Sequence, residues 1–186
     1  MSVQILLYNL FLWLYGLAIR VVALFDEKAA RWIAGRKNLY KELEAQLQTK
    51  EKRIWFHCAS VGEFEQARPL IERLRSCHPS FKIVLTFFSP SGYELRKDYP
   101  GADYVFYLPM DGRRRAARFV RLVNPSVAVF VKYEFWYHYL RTLKQSKIPV
   151  ILVAAAFRPS QPFFQWYGGF FRRMLGFFNH LFVHDK

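Results

Sequence analysis

The sequence predicts an α/β domain built on a mainly parallel sheet and preceded by a long apolar helix. Three observations lead there. Six short apolar runs recur between residues 53 and 184, helix-forming stretches separate them, and only Arg20 carries charge in the first 25 residues. A chain of 186 residues that is 53% hydrophobic has enough apolar material to bury one sizeable core.

From Val3 to Ile19 the chain reads VQILLYNLFLWLYGLAI, interrupted only by Gln4 and Asn9, and RVVALF carries the apolar character to Phe25. At about 1.5 Å per residue this stretch covers most or all of a hydrocarbon core of about 30 Å, with Arg20 able to reach headgroups. Residues 1–25 are therefore expected to form a membrane anchor. A buried or interfacial helix is the alternative, because Arg20 shortens the clean stretch. A cleaved signal peptide is not expected, since Lys28, Arg31, Arg36 and Lys37 follow the apolar run instead of preceding it. The same asymmetry puts the rest of the chain on the cytoplasmic side.

Residues 26–52 read as a helical connector broken at Gly35. Its Leu39, Leu43 and Leu47, at four-residue spacing, form a stripe expected to lie against the globular part. Arg36 and Lys37 sit where lipid headgroups or a substrate phosphate can use them, or where they are simply a solvated pair.

The six apolar runs are RIWFHC (53–58), KIVLTFF (82–88), DYVFYL (103–108), VAVFVK (127–132), PVILVAA (149–155) and HLFVH (180–184). Each has the length and continuity of a strand buried on both faces. Ser60, Ser91, Asp111 and Ser160 are expected to start the intervening helices. Strand and helix alternate throughout, which implies right-handed βαβ units with helices on both sides of the sheet. Residues 53–186 are accordingly read as a Rossmann-like domain.

Composition narrows the partners. A formal net charge of +14 favours an anionic partner, and 19% aromatic residues exceed what a small core needs, so some rings are expected to face lipid or an apolar ligand. Single-stranded nucleic acid would also suit basic residues with aromatics, but it gains nothing from an apolar anchor, so no nucleic-acid partner is expected. Cys58 and Cys77 have no metal-ligand spacing and nothing nearby demands a disulfide, which points to a reducing, cytosolic compartment.

Open parallel sheets bind ligands beyond the carboxyl ends of their strands. The candidates are thus His57, Ser60, Gly62 and Glu63 after the first strand, and Ser89, Ser91 and Gly92 after the second. Lys132, Tyr133 and Glu134 follow the fourth, and Arg158 and Ser160 the fifth. SVGE lacks the spacing of a phosphate-binding loop. Glu63 has two physical explanations: a first-turn carboxylate favoured by the helix dipole, or a half-buried base raised toward neutrality by its surroundings. His57 is either a hydrogen-bonded strand-end residue or a base.

The strings IWFHCASVGEFEQARPLI, LTFFSPSGYE, YLPMD, NPSVAVFVKYEFW and FRPSQ, in this order, resemble the amino-terminal half of the bacterial 3-deoxy-D-manno-oct-2-ulosonic acid (Kdo) transferases. The resemblance runs from the apolar helix to the last residue, and SVGE with KYEFW is its most specific part. It implies the acceptor-binding N-terminal lobe of a GT-B glycosyltransferase at the cytoplasmic face of the bacterial inner membrane. Such enzymes make lipopolysaccharide by moving Kdo from CMP-Kdo to a lipid A precursor, without an essential metal or cofactor. By the same resemblance Glu63 matches the general base and Glu134 a second catalytic acid. Ser60, Gly62, Ser89, Ser91, Gly92, Lys132, Arg158, Ser160, Arg36 and Lys37 are the acceptor-side candidates. Arg158 and Ser160 match a family loop often written Asn-Ala-Arg-x-Ser, in which Ala156 replaces Asn. The donor lobe would lie beyond this chain, which by itself is expected to be inactive; a membrane-tethered lipid-binding module is the alternative.

Overall fold

The computed structural model describes residues 3–48 and 50–183. Met1 and Ser2 of the expected anchor, Thr49 of the connector and His184 of the sixth run lie outside the described residues. The described chain forms β1 (Arg53–Cys58), β2 (Lys82–Phe87), β3 (Tyr104–Tyr107), β4 (Pro125–Val131), β5 (Val150–Ala155) and β6 (His180–Val183). All pair in parallel, in the order β3-β2-β1-β4-β5-β6. This is the doubly wound Rossmann-like order, whose direction reverses between β1 and β4 and leaves a crevice at their carboxyl ends.

Alternation along β1 explains why all six of its residues are buried. Ile54, Phe56 and Cys58 enter one core with Phe64, Ile71, Leu85 and Val129. Trp55 enters the other, with Phe119, Phe130, Tyr139 and the Leu39, Leu43, Leu47 stripe. That stripe does lie against the globular part: Leu43 is fully buried and Leu39 nearly so. β6 departs from the expectation of burial on both faces. It is the edge strand, and all four of its residues are exposed.

Helices α4 (Val61–Cys77), α5 (Pro90–Arg96), α6 (Arg113–Val123), α7 (Tyr137–Gln145) and α8 (Gly169–Leu175) fill the connections. Ser60 stands at the N-cap of α4 without a side-chain cap bond. Three of the expected helix starts shift. Ser160 lies in a turn, with Gln161 at the N-cap of the short 3₁₀ helix Pro162–Phe164 and Gly168 at that of α8. Ser89, not Ser91, caps α5 through its hydroxyl, which accepts from the Gly92 amide at 3.1 Å. Gly112, not Asp111, is the N-cap of α6. Asp111 is instead pulled into the core, where its Oδ2 accepts from the Tyr8 hydroxyl at 2.7 Å and the His138 amide at 3.0 Å.

Those bonds anchor α1 (Val3–Val22), which precedes α2 (Glu27–Ala34) and α3 (Leu39–Gln46). Asn9 on α1 lies 2.7 Å from His138 Nε2, and Leu12, Tyr15 and Ile19 pack with Trp32, Phe88, Met110 and Trp136. α1 therefore lies along the loops that follow β2, β3 and β4. Its other face, including Leu6, Leu10, Trp13, Leu14, Leu17 and Val21, is exposed and apolar.

One backbone feature predicts a stability gain. Ala154 has φ of 56°, beside the irregular register between β5 and β6. A left-handed conformation costs a Cβ-bearing residue about 1–2 kcal/mol, partly offset by the greater unfolded-state freedom of glycine. Ala154→Gly is expected to raise the melting temperature by roughly 2 °C; an unchanged or lower value would mean that the bulge carries no such strain.

Candidate active site

The switch point between β1 and β4 brings the two predicted carboxylates together. Glu63 sits in the first turn of α4 after β1, and Glu134 in the turn after β4. Glu63 is half-buried, and its Oε2 accepts from the Ala59 amide just outside the helix. Burial pushes its carboxyl above the ordinary value, and the neighbouring charge of Glu134 adds to this, while the Ala59 amide, His57 and Lys132 pull the other way. Glu63 thus back-bonds the helix entrance, while burial raises its proton affinity.

The turn that presents Glu134 is strained. Lys132 has φ of 58°, in the left-handed region that non-glycine residues rarely adopt. The Lys132 amide donates to Val153 O at 2.9 Å, which fixes the turn to β5. Behind Glu134 lies a polar group set within the sheet. Its Oε2 accepts from the Trp136 indole at 2.7 Å and lies 3.2 Å from His57 Nε2. His57 is fully buried, and its Nδ1 is 3.0 Å from the Thr86 hydroxyl.

The other predicted residues divide. Gly62 is exposed, and a side chain added there would meet nothing within 4 Å. The fold does not require glycine at this point, and its bareness leaves the start of α4 open to a ligand. Ser89 and Gly92 are occupied structurally, the first as a cap and the second packed so that an added Cβ would lie 2.6 Å from the Phe87 ring. Ser91, Arg158 and Ser160 are exposed on the rim, and the Tyr133 hydroxyl ties the Arg158 loop to the Glu134 loop through Ala156 O.

Arg36 is drawn away from the site. It donates to Leu108 O at 2.9 Å, Trp32 O at 2.9 Å and Phe88 O at 2.7 Å, and its guanidinium lies 3.8 Å from the centroid of the Trp32 ring. It braces α2 against the loops after β2 and β3 instead of waiting for a phosphate. Burial pulls its pKa down to about 9, so it remains a cation at neutral pH. Lys37 is exposed beside it.

A cavity of about 670 Å³ opens against Glu134, between α1 and α8, lined mostly by rings and aliphatic side chains such as Leu7, Phe11, Phe135, Phe170 and Phe171. Its size suits part of an amphiphile. The aromatic segment 163–178 is split in use. Phe163, Met174 and Phe178 are buried, Phe170 and Phe171 line the cavity, and Trp166 is 91% exposed. Arg172, exposed, is tied to its own segment, donating to Phe163 O and Gln165 O.

Thr86, Trp136 and the Asp111–Tyr8–His138 cluster were not among the predicted site residues. Thr86 carried one signal, as the lone hydroxyl in an otherwise apolar run, and Trp136 lies two residues from Glu134.

The family described as 3-Deoxy-D-manno-octulosonic-acid transferase (kdotransferase) matches residues 32–186. The chain belongs to this family. Among Kdo transferases, it is 31% identical to the 3-deoxy-D-manno-octulosonic acid transferase of Haemophilus influenzae over 103 residues, which are 55% of this chain and 24% of that protein. It is 35% identical to the transferase of the same description from Aquifex aeolicus over 103 residues, 55% of this chain and 28% of that protein. The matched stretch thus spans about a quarter of the length of these relatives. Among solved structures, the UDP-GlcNAc 2-epimerase of Methanocaldococcus jannaschii aligns with TM-score 0.49 and 14% identity, over 73% of this chain and 39% of that one.

Proposed function

We propose that this chain is the acceptor-side lobe of a GT-B Kdo transferase of lipopolysaccharide synthesis, transferring Kdo from CMP-Kdo to a hydroxyl of a lipid A precursor with inversion. The observation that carries this reading is the pairing of Glu63 with Glu134 at the β1/β4 switch point, in a chain of the Kdo transferase family. Glu63 takes the proton of the acceptor hydroxyl as that oxygen bonds to the anomeric carbon of Kdo. The bond from that carbon to CMP breaks on the opposite side, and CMP leaves with the electron pair. Glu134 supplies negative charge near the electron-poor anomeric carbon of the transition state. This reading uses no metal or cofactor.

The acceptor is an amphiphile, and the surroundings of Glu134 fit it. The apolar cavity beside this carboxylate takes acyl chain, while exposed Arg158, on the loop tied to that of Glu134, offers charge to a phosphate group. α1 serves as the membrane element. Since one face of α1 is bonded to the domain, the helix lies in the cytoplasmic leaflet of the inner membrane with its outer face in lipid, and does not cross alone. The acceptor then reaches Glu63 without leaving the bilayer. CMP-Kdo is assigned to the part of the enzyme corresponding to the relatives' remaining length.

The full transferase supplied with CMP-Kdo and a lipid A precursor is expected to release CMP and lengthen the acceptor by Kdo, as read by mass spectrometry. Binding of the precursor without product in the full enzyme would favour a lipid-binding module instead.

A further inference from the structure

Beyond the carboxylate pair, the structure contains a polar group set that the reaction above does not use. β1 and β2 place His57 opposite Thr86, and alternation turns both toward the face that carries Trp55 and Phe130. The Thr86 hydroxyl accepts from the Trp55 indole at 2.8 Å, and its one proton has two acceptors in reach, Phe56 O at 3.2 Å and His57 Nδ1 at 3.0 Å. His57 Nδ1 faces that hydroxyl at 3.0 Å and Thr86 O at 3.3 Å, so the ring is clamped from inside the sheet. Its Nε2 points the other way, to Glu134 Oε2 at 3.2 Å.

A carboxylate oxygen only accepts. The Trp136 indole lies 2.7 Å from Glu134 Oε2 and 3.3 Å from His57 Nε2, and its N–H goes to the nearer, charged oxygen. The approach of Oε2 to Nε2 then calls for a proton on Nε2, with Nδ1 accepting from the Thr86 hydroxyl. With the Trp136 indole, this gives Oε2 two donors. Oε1 has no donor among the described residues, and Glu134 lies on the cavity wall.

We propose that His57 is a positioning residue, donating from Nε2 to one oxygen of Glu134 so that its other oxygen faces the bound acceptor. The proposal rests on the assignment of Glu63 and Glu134 to the acceptor site. Its consequence falls on Glu63, because the Glu134 charge is the largest cause after burial that raises the Glu63 carboxyl. The other titratable groups around the pair are Lys132 on the Glu134 turn, the buried thiol of Cys58 on β1 and Tyr8 on α1. Without the His57 donor, Glu134 Oε2 keeps only the Trp136 indole, and the carboxylate loses its fixed orientation beside Glu63.

Two readouts test this. In the ¹⁵N-labelled chain, the imidazole nitrogen shifts of His57 at neutral pH are expected to show a protonated Nε2; a bare Nε2 overturns the proposal whether or not the protein transfers sugar. In the full transferase, His57→Phe keeps a ring but loses the donor. It is expected to lower kcat at least about tenfold, with little change in acceptor KM. His57→Gln, whose amide can reach Glu134, is expected to restore part of kcat. A kcat that stays near the wild-type value in folded His57→Phe overturns the proposal. If His57→Phe does not fold, His57→Gln and the nitrogen shifts decide. A wild-type enzyme that transfers nothing would instead defeat the functional reading and leave the nitrogen measurement standing.

Discussion

Glu63→Gln is expected to abolish Kdo transfer by the full transferase while making the protein more heat-stable at neutral pH. Removing a general base typically costs about 10²–10⁴-fold in rate. Gln keeps an oxygen that can accept from the Ala59 amide, so the entrance of α4 is preserved. The stability gain follows from the direction of the proton equilibrium. Burial and Glu134 raise the Glu63 carboxyl above its unfolded value, so the folded state binds its proton more tightly than the unfolded state does. The stability this contributes is complete below the unfolded carboxyl pKa and is lost as pH rises through the folded one. At neutral pH the wild-type fold therefore carries a disfavoured charge that Gln lacks. The difference in melting temperature between the two proteins should shrink as pH falls toward about 4. Near-normal transfer by Glu63→Gln would remove this residue from the mechanism. A stability difference that does not depend on pH would mean that the carboxyl is not raised.

Arg36→Ala is expected to destabilise the protein by about 3 kcal/mol, a fall of roughly 6–12 °C in melting temperature. The side chain satisfies three carbonyls, from Leu108, Trp32 and Phe88, and fills the space between the Trp32, Phe88 and Tyr107 rings. Its removal leaves acceptors unpaired and a hole in an aromatic stack that continues from Phe88 to Trp136, the indole that holds Glu134. Lys in its place keeps the charge but not the planar fork, so an intermediate loss is expected. If Arg36 were an acceptor ligand, Ala would raise the acceptor KM and leave the melting temperature almost unchanged.

Residue periodicity was a good guide to the framework and a poorer one to its ends. Runs such as RIWFHC announce a strand buried on both faces because the parallel sheet puts a helix layer on each side, and β1 obeys this residue by residue. HLFVH has the same character but forms an exposed edge, since apolarity does not say which strand lies outermost. Ser91 and Asp111 looked like helix starts. The chain used Ser89 because Pro90 could occupy the first turn, and spent Asp111 on fastening α1.

The same division holds at the site. Glu63 and Glu134 were legible because both follow strands at the rim, and topology alone then made them neighbours. Arg36 was misleading, since a charged residue next to an apolar anchor suggests lipid headgroups until its carbonyl partners, 52 and 72 residues away, are known. Thr86 was hidden for a related reason: its importance comes from the register that sets it opposite His57, and register is a property of two strands together.

The most direct measurement is the separation between the Glu63 carboxylate and the reacting hydroxyl in a complex of the full transferase with a lipid A precursor. The account predicts hydrogen-bond contact, within about 3.2 Å, with acyl chain in the cavity between α1 and α8. A precursor whose hydroxyl lies elsewhere on the rim, with Glu63 bonded only to the Ala59 amide, would contradict it.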